Sequence, residues 1–262
     1  MRIFSNKRYH NRITLIYDAG SVIGKSTVLK FAERGSHLIL AGPDENEIIQ
    51  IEKDLQSLRS GVVSVPTEIT NTSSIKNLLS TTIKHFARLD HVIIANIPNL
   101  SDQIGVDDPA SFKKIMDTYF NSVVKLIDEV VPIMSERRTG NIVVLSNYMF
   151  LREIPVFSAQ AAAEFALLEY LISLGKETKN SGIKITVINL MKWQDINTDS
   201  ANIPWYIPSS TTERIAKTLT EAVHYKSPQV YLPMISSRLF LLVNHLFPKK
   251  HSDNIYSKHQ SN

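Results

Sequence analysis

Short runs of aliphatic and β-branched residues recur along the chain: ITLIY at 13–17, HLILA at 37–41, VVSV at 62–65, HVIIA at 91–95, NIVVLS at 141–146, KITVIN at 184–189 and QVYL at 229–232. Several are apolar on successive residues without alternation, the pattern of a strand covered on both faces. Between the runs the apolar positions return every three or four residues, as in Val28, Phe31 and Ala32, then Ile48, Ile51, Leu55 and Leu58, then Ile75, Leu79 and Phe86. That spacing predicts amphipathic helices. Thr72 stands where the third would be capped, and Gly35 and Gly182 stand where helix ends hand the chain to the next strand. Two longer helices are predicted over 109–136 and 158–179, and a final pair near 210–226 and 236–247. Strand and helix alternating in this way predict an α/β, Rossmann-like, doubly wound sheet of seven parallel strands with helices on both faces. A single domain is expected over residues 1–262, its core about 12–247, with 248–262 as a loose polar tail.

Composition narrows the function classes. With 43% hydrophobic and 21% charged residues the chain reads as a soluble globular protein. It has no cysteine, which excludes disulfides and thiolate metal sites, and its eight histidines show no HxH or HxxxH spacing, so no metal centre is expected. The net charge of +4 is scattered, with clusters only at Lys7-Arg8, Arg137-Arg138 and Lys249-Lys250, which argues against a nucleic-acid partner. The opening MRIFSNKRYHN lacks the apolar stretch of a signal peptide, and no segment reaches the roughly 18 apolar residues of a membrane span. A cytoplasmic location is expected, and membrane association is not.

At the first strand–helix turn the chain reads RITLIYDAGSVIGKSTVLKFAERGSHLILAGP, followed by EIT at 68–70, RLDHVIIAN at 88–96, VVPIM at 130–134 and GNIVVLS at 140–146. From about Arg12 to Tyr231 this resembles the short-chain dehydrogenase/reductase family, which opens with a strand, a TGxxxGxG turn and a helix. Against that pattern the threonine falls on Tyr17, the first glycine on Asp18 and the second on Val22; Ile23 follows, and only the third glycine survives, as Gly24. Those glycines give a tight turn, a close approach to pyrophosphate and close helix packing. Only the last role is kept. Where the family holds ribose or its phosphate stand Gly42 and Pro43, with Asp44 next; Glu68 takes the place of an aspartate. Ile94, Ala95, Asn96 and Ile97 replace an NNAG segment, and Leu190 and Met191 a proline-glycine pair.

The resemblance also places the catalytic positions. The tyrosine that moves the proton corresponds to Gln160, the lysine four residues on to Glu164, the serine thirteen residues before to Asn147, and the asparagine of the earlier long helix to Tyr119. None of the four is retained. Glutamine has no titratable proton near neutral pH, and a glutamate would raise the pKa of a neighbouring phenol. Ser146 and Tyr148 flank the lost serine, and Tyr148 with Arg152 has tyrosine-to-cation spacing, but on a loop.

Other features bear on ligands. AGSVIGKST at 19–27 fits a relaxed phosphate-loop pattern with Lys25 as its cation, although position 19 is alanine and no acidic magnesium partner stands at the other strand ends. The segment 191–210 takes the place of the family's substrate lid, and its Trp193, Trp205 and Tyr206 either line a pocket or anchor an ordered loop. SRLFLLVNHLFPKK near the end, an apolar face flanked by Arg238, Lys249 and Lys250, reads as a helix packed on the sheet or at a subunit contact, with a membrane surface as the alternative. Small residues Ala159, Ala161, Ala162 and Ala163, with Phe165 and Leu168, lie on the second long helix, and family members commonly pair through the two long helices. A homodimer or homotetramer is expected. The reading is a family homologue without reductase chemistry, with no cofactor or a weakly held one, NAD(P) if any. It would bind, scaffold or regulate through an unknown small molecule or protein. The alternatives are an active NAD(P)-dependent oxidoreductase with displaced catalytic groups, and a nucleotide binder using Lys25.

Overall fold

The computed structural model describes residues 9–56, 61–97, 109–148, 157–193 and 208–237, with Leu239 and Leu242. Seven apolar runs become strands: β1 (Ile13–Tyr17), β2 (His37–Gly42), β3 (Val62–Pro66), β4 (His91–Ile94), β5 (Gly140–Asn147), β6 (Ile183–Leu190) and β7 (Gln229–Leu232). They pair in parallel in the order β3-β2-β1-β4-β5-β6-β7. Successive side chains of a strand point to opposite faces. Thus Leu15 joins a core with Ile75, Leu126 and Leu171, whereas Ile16 joins a second core with Phe31, Ile48 and Leu219. Both are fully buried, which is why the strands could not alternate apolar with polar.

The helices are α1 (Val22–Glu33), α2 (Glu45–Leu55), α3 (Thr72–Phe86), α4 (Pro109–Met116), α5 (Ser122–Glu136), α6 (Ser158–Glu177) and α7 (Thr212–Ala222). The long helix expected over 109–136 is not regular. A π-helical turn, Asp117–Asn121, separates α4 from α5 and carries Tyr119. One extra residue in a turn widens it and turns the side chains that follow. α6 passes into a 3-10 turn over Thr178–Ser181 and ends at Gly182, whose φ of 75° is left-handed. A Cβ there would stand 2.0 Å from the Arg138 carbonyl oxygen, so glycine is required twice over. The expectation at Gly182 holds, as it does at Gly35, with φ 81°. The cap of α3 is Asn71 rather than Thr72: Asn71 Oδ1 accepts from the backbone N–H groups of Ser73 and Ser74 at 2.9 and 3.3 Å. The last helix of the expected pair, 236–247, and the tail 248–262 lie largely or wholly outside the described residues.

At the strand N-terminal end, Asp90 is buried and accepts from Arg12, the Ile13 N–H and Arg88. These donors hold its carboxyl below the usual range although burial pushes the other way. The clamp ties β1 to β4, the central pair of the sheet. Beside it, Tyr9 stacks on His224 and donates to the Thr220 carbonyl at 2.7 Å. Among the described residues no helix is long and apolar enough to cross a membrane.

Candidate functional site

β2 and β4 lie on either side of β1, so the chain runs outward from the centre in both directions. In an open α/β sheet the crevice at the C-terminal ends of the strands, at that reversal, is where ligands bind. The β1–α1 turn forms its floor. Asp18 has φ 63°, the left-handed conformation for which a glycine is usual and which aspartate tolerates better than most side chains. Ser21 Oγ donates to the Asp18 carbonyl at 2.8 Å and accepts from the Gly24 N–H at 3.0 Å, capping α1. The Ala19 N–H donates to the Ala41 carbonyl at 2.9 Å. The backbone therefore keeps a tight turn without its first two glycines. Gly24 is still required, since a Cβ there would lie 2.0 Å from the Asp18 carbonyl oxygen.

The side chains of the turn change the chemistry. Asp18 is half-buried, and burial raises the pKa of its carboxyl against a hydrogen bond from Ser21. Val22, the first residue of α1, is 60% exposed, so its branched side chain stands at the helix N-terminus, where backbone N–H groups would otherwise receive an anion. Tyr17 is buried. Burial first, then the nearby Asp18 and Glu68 charges, keep its phenol protonated well above the usual range. Ile23 is buried in the α1 core. Lys25 is ion-paired with Glu47 on α2.

The ends of β2 and β3 complete the rim of the crevice. Gly42 is buried against the Asp18 backbone, Pro43 is exposed, and Asp44 Oδ1 caps α2 by accepting from the Glu47 N–H at 3.1 Å. Glu68 Oε1 accepts from the N–H and hydroxyl of Thr70, at 3.2 and 2.8 Å. Past β4, Ala95 is buried and its N–H donates to the Tyr17 carbonyl at 3.2 Å, while Asn96 and Ile97 are half-buried. Leu190 and Met191 are buried, and Met191 is tied to β7 through the Leu232 carbonyl at 3.1 Å.

At the catalytic positions the fold does bring the expected residues together. Asn147 ends β5, Gln160 and Glu164 lie one turn apart on α6, and all three are buried. Ser146 Oγ donates to Glu164 Oε2 at 2.6 Å. Glu164 also accepts from the Asn147 backbone, and both bonds favour the carboxylate, but burial outweighs them and its pKa rises to about 7. Tyr119 is half-buried against a small cluster of Ile115, Ala159 and Ala163. The Ser146–Glu164 bond was not foreseen in the sequence, although the signal was present. Once the lysine position holds a carboxylate, the hydroxyl at the end of β5 becomes its natural donor. Tyr148 stacks edge-on against Tyr231 at 5.2 Å; its spacing partner Arg152 lies outside the described residues. Trp193 is an anchor: its indole N–H donates to Thr212 Oγ1 at 2.8 Å and its ring packs on the α1/α7 core. Trp205 and Tyr206 lie outside the described residues.

Two alanines expected at a subunit contact, Ala159 and Ala163, are buried within the chain against α4, and Leu168 lies in the core. Only Ala162 and Phe165, 50% exposed, face outward, with Ala161 half-buried. Among the described residues no group of histidine or acidic side chains could hold a metal ion.

Residues 12–199 match the model of the short chain dehydrogenase family. The chain is 25% identical over 196 residues to dehydrogenase/reductase SDR family member 7B of Danio rerio, covering 72% of this chain and 63% of that relative, so it spans less than two thirds of that protein. It is 25% identical over 222 residues to an uncharacterized oxidoreductase of Staphylococcus aureus strain MW2, covering 84% and 92%. Among solved structures it resembles levodione reductase, with TM-score 0.76 and 17% identity over 86% of this chain and 97% of that one. It also resembles NAD+-bound xylitol dehydrogenase, with TM-score 0.73 and 13% identity over 86% and 98%. At such identities these two structures speak for the fold alone.

Proposed function

The chain belongs to the short-chain dehydrogenase family, and from that premise we propose that it has given up carbonyl–alcohol chemistry and works as a binding, scaffolding or regulatory protein. The observation that carries this reading is the Ser146–Glu164 pair, buried where a proton-transferring tyrosine would need a cation beside it. A cation lowers a phenol's pKa, whereas a carboxylate raises it. Gln160, in the tyrosine's place, has no proton to exchange near neutral pH. Ser146 spends its hydroxyl on Glu164 rather than presenting it to a carbonyl.

The dinucleotide site is read the same way, as holding no cofactor or holding one weakly. Asp18 places a carboxylate, and Val22 an exposed branched side chain, at the turn where pyrophosphate must approach backbone N–H groups. Asp44 is committed to capping α2 and Lys25 to Glu47, so neither is poised for ribose or phosphate. The residues present do not fit a nicotinamide dinucleotide.

The rival is an active NAD(P)-dependent oxidoreductase with displaced catalytic groups, favoured by a relative that carries the name oxidoreductase over 92% of its length. Calorimetric titration with NAD(H) and NADP(H), paired with turnover of a panel of carbonyls followed at the nicotinamide absorbance, separates the two. The pseudoenzyme reading expects neither binding at low micromolar concentration nor turnover; either one supports the rival. A homodimer or homotetramer paired through the two long helical segments, α4 with α5 and α6, is proposed alongside.

A further inference from the structure

The far end of the molecule carries a cleft of about 470 Å³, within the range of small-ligand pockets. It arises from a mismatch in strand length. β5 pairs with the whole of β6, from Ile183 to Leu190, but β7 pairs only with Val187–Leu190. The first half of β6 is thus left without a neighbour on that side, and the chain entering β7 closes the top of the notch, where the Val187 N–H donates to the Pro228 carbonyl at 2.8 Å. The end of α6 and the 3-10 turn form the second wall.

Four lysines from four different pieces of backbone converge on this cleft: Lys176 from α6, Lys179 from the 3-10 turn, Lys184 from β6 and Lys226 from the loop before β7. No carboxylate is among its described lining residues, and none of the four lysines forms an ion pair with a described residue. Lysines near a helix C-terminus are common because they offset its partial negative charge. That accounts for Lys176 and Lys179. It does not account for Lys184 or Lys226, which come from a strand and a loop. The floor is apolar, with Ile185 buried and Tyr225 half-buried. Burial first, then Glu221, keeps the Tyr225 phenol protonated, so it offers a neutral O–H donor.

We infer that this cleft, formed by Lys176, Lys179, Lys184 and Lys226 over an apolar floor, binds a small amphipathic anion, an apolar body bearing a carboxylate or phosphate. A second copy of the chain meeting the cleft face to face is a poor occupant, because a symmetric contact would bring lysines against lysines. The site lies at the opposite end of the strands from Asp18 and Glu164 and stands whether or not the dinucleotide site is empty.

The test uses 1-naphthyl phosphate as probe, followed by backbone amide NMR on the full chain, with inorganic phosphate as the charge-only control. Binding with shifts confined to residues around 176–186 and 225–228 is expected, stronger than for phosphate alone. Lys184→Glu combined with Lys226→Glu, both at exposed positions, should weaken it at least about tenfold at moderate salt. Lys53→Glu, a charge reversal at an exposed position on α2 outside both sites, should leave it unchanged. No saturable binding by about 1 mM, the weak limit of specific affinity, overturns the proposal. So do unchanged affinity in the double variant, shifts at the β1–α1 turn instead, and a change of oligomeric state in the double variant without probe binding, which would make the cleft an interface.

Discussion

At position 18 a carboxylate sits in a backbone conformation made for glycine, and the proposed weak hold on a dinucleotide rests largely on this one residue. At about 5 Å and an effective dielectric near 20, one charge pair with a phosphate costs about 3 kcal/mol, or about a hundredfold in affinity. Asp18→Gly is therefore expected to strengthen NAD(H) or NADP(H) binding by up to that factor in calorimetry. Any residual binding to the unaltered protein should grow as pH falls, since burial raises the Asp18 pKa and protonation removes the repulsion. Low-micromolar binding without the substitution would overturn this account. Exchanging Gln160→Tyr with Glu164→Lys alone leaves Asp18 and Val22 in place and should yield no reductase. Glu164 makes a second prediction. Its pKa stands near 7 in the folded chain against 4.5 unfolded, so the native state holds the proton longer and stability falls as pH rises through that window. The loss approaches about 3 kcal/mol above pH 7. Glu164→Gln should match the parent at low pH and exceed it in denaturant midpoint at pH 8; parallel pH profiles would refute the assignment.

Helices and strands were legible to the degree that burial is one-sided or complete. β1 was readable to the residue because its five positions are all buried, three of them β-branched (Ile13, Thr14 and Ile16), and so short a run followed by a turn reads as a strand rather than a helix. The π-helical turn at Asp117–Asn121 was not, because its positions carry the same apolar period as the helices on either side. The cap of α3 was misplaced by one residue because threonine and asparagine both serve, and only φ and ψ tell which is outside the helix. Asn71→Ala should cost about 1 kcal/mol in chemical denaturation, and Thr72→Ala far less. Equal losses would return the cap to Thr72. At the crevice, motif spacing located Gln160, Glu164 and Asn147 on the right elements, whereas the Ser146–Glu164 bond is a tertiary contact between residues 18 apart that no local period encodes.

Over the whole molecule, α4 and α6 leave Phe112 45% and Phe165 50% exposed, and the proposed pairing of the helices would cover them. Phe165→Glu is expected to dissociate the proposed dimer in light scattering without lowering the melting temperature of the monomer; a parent chain that is already monomeric at micromolar concentration would remove the dimer. The strand order has a further consequence in time. β1 is complete by Tyr17, but its partner on one side, β4, begins at His91. A chain emerging from the ribosome can form β1, β2 and β3 with their helices and then must wait, with one edge of β1 open, until β4 arrives. An unpaired edge of that kind is a template for the wrong partner. Closing so distant a pair is slow, and chaperone dependence and aggregation on refolding should both trace to the seam between β1 and β4.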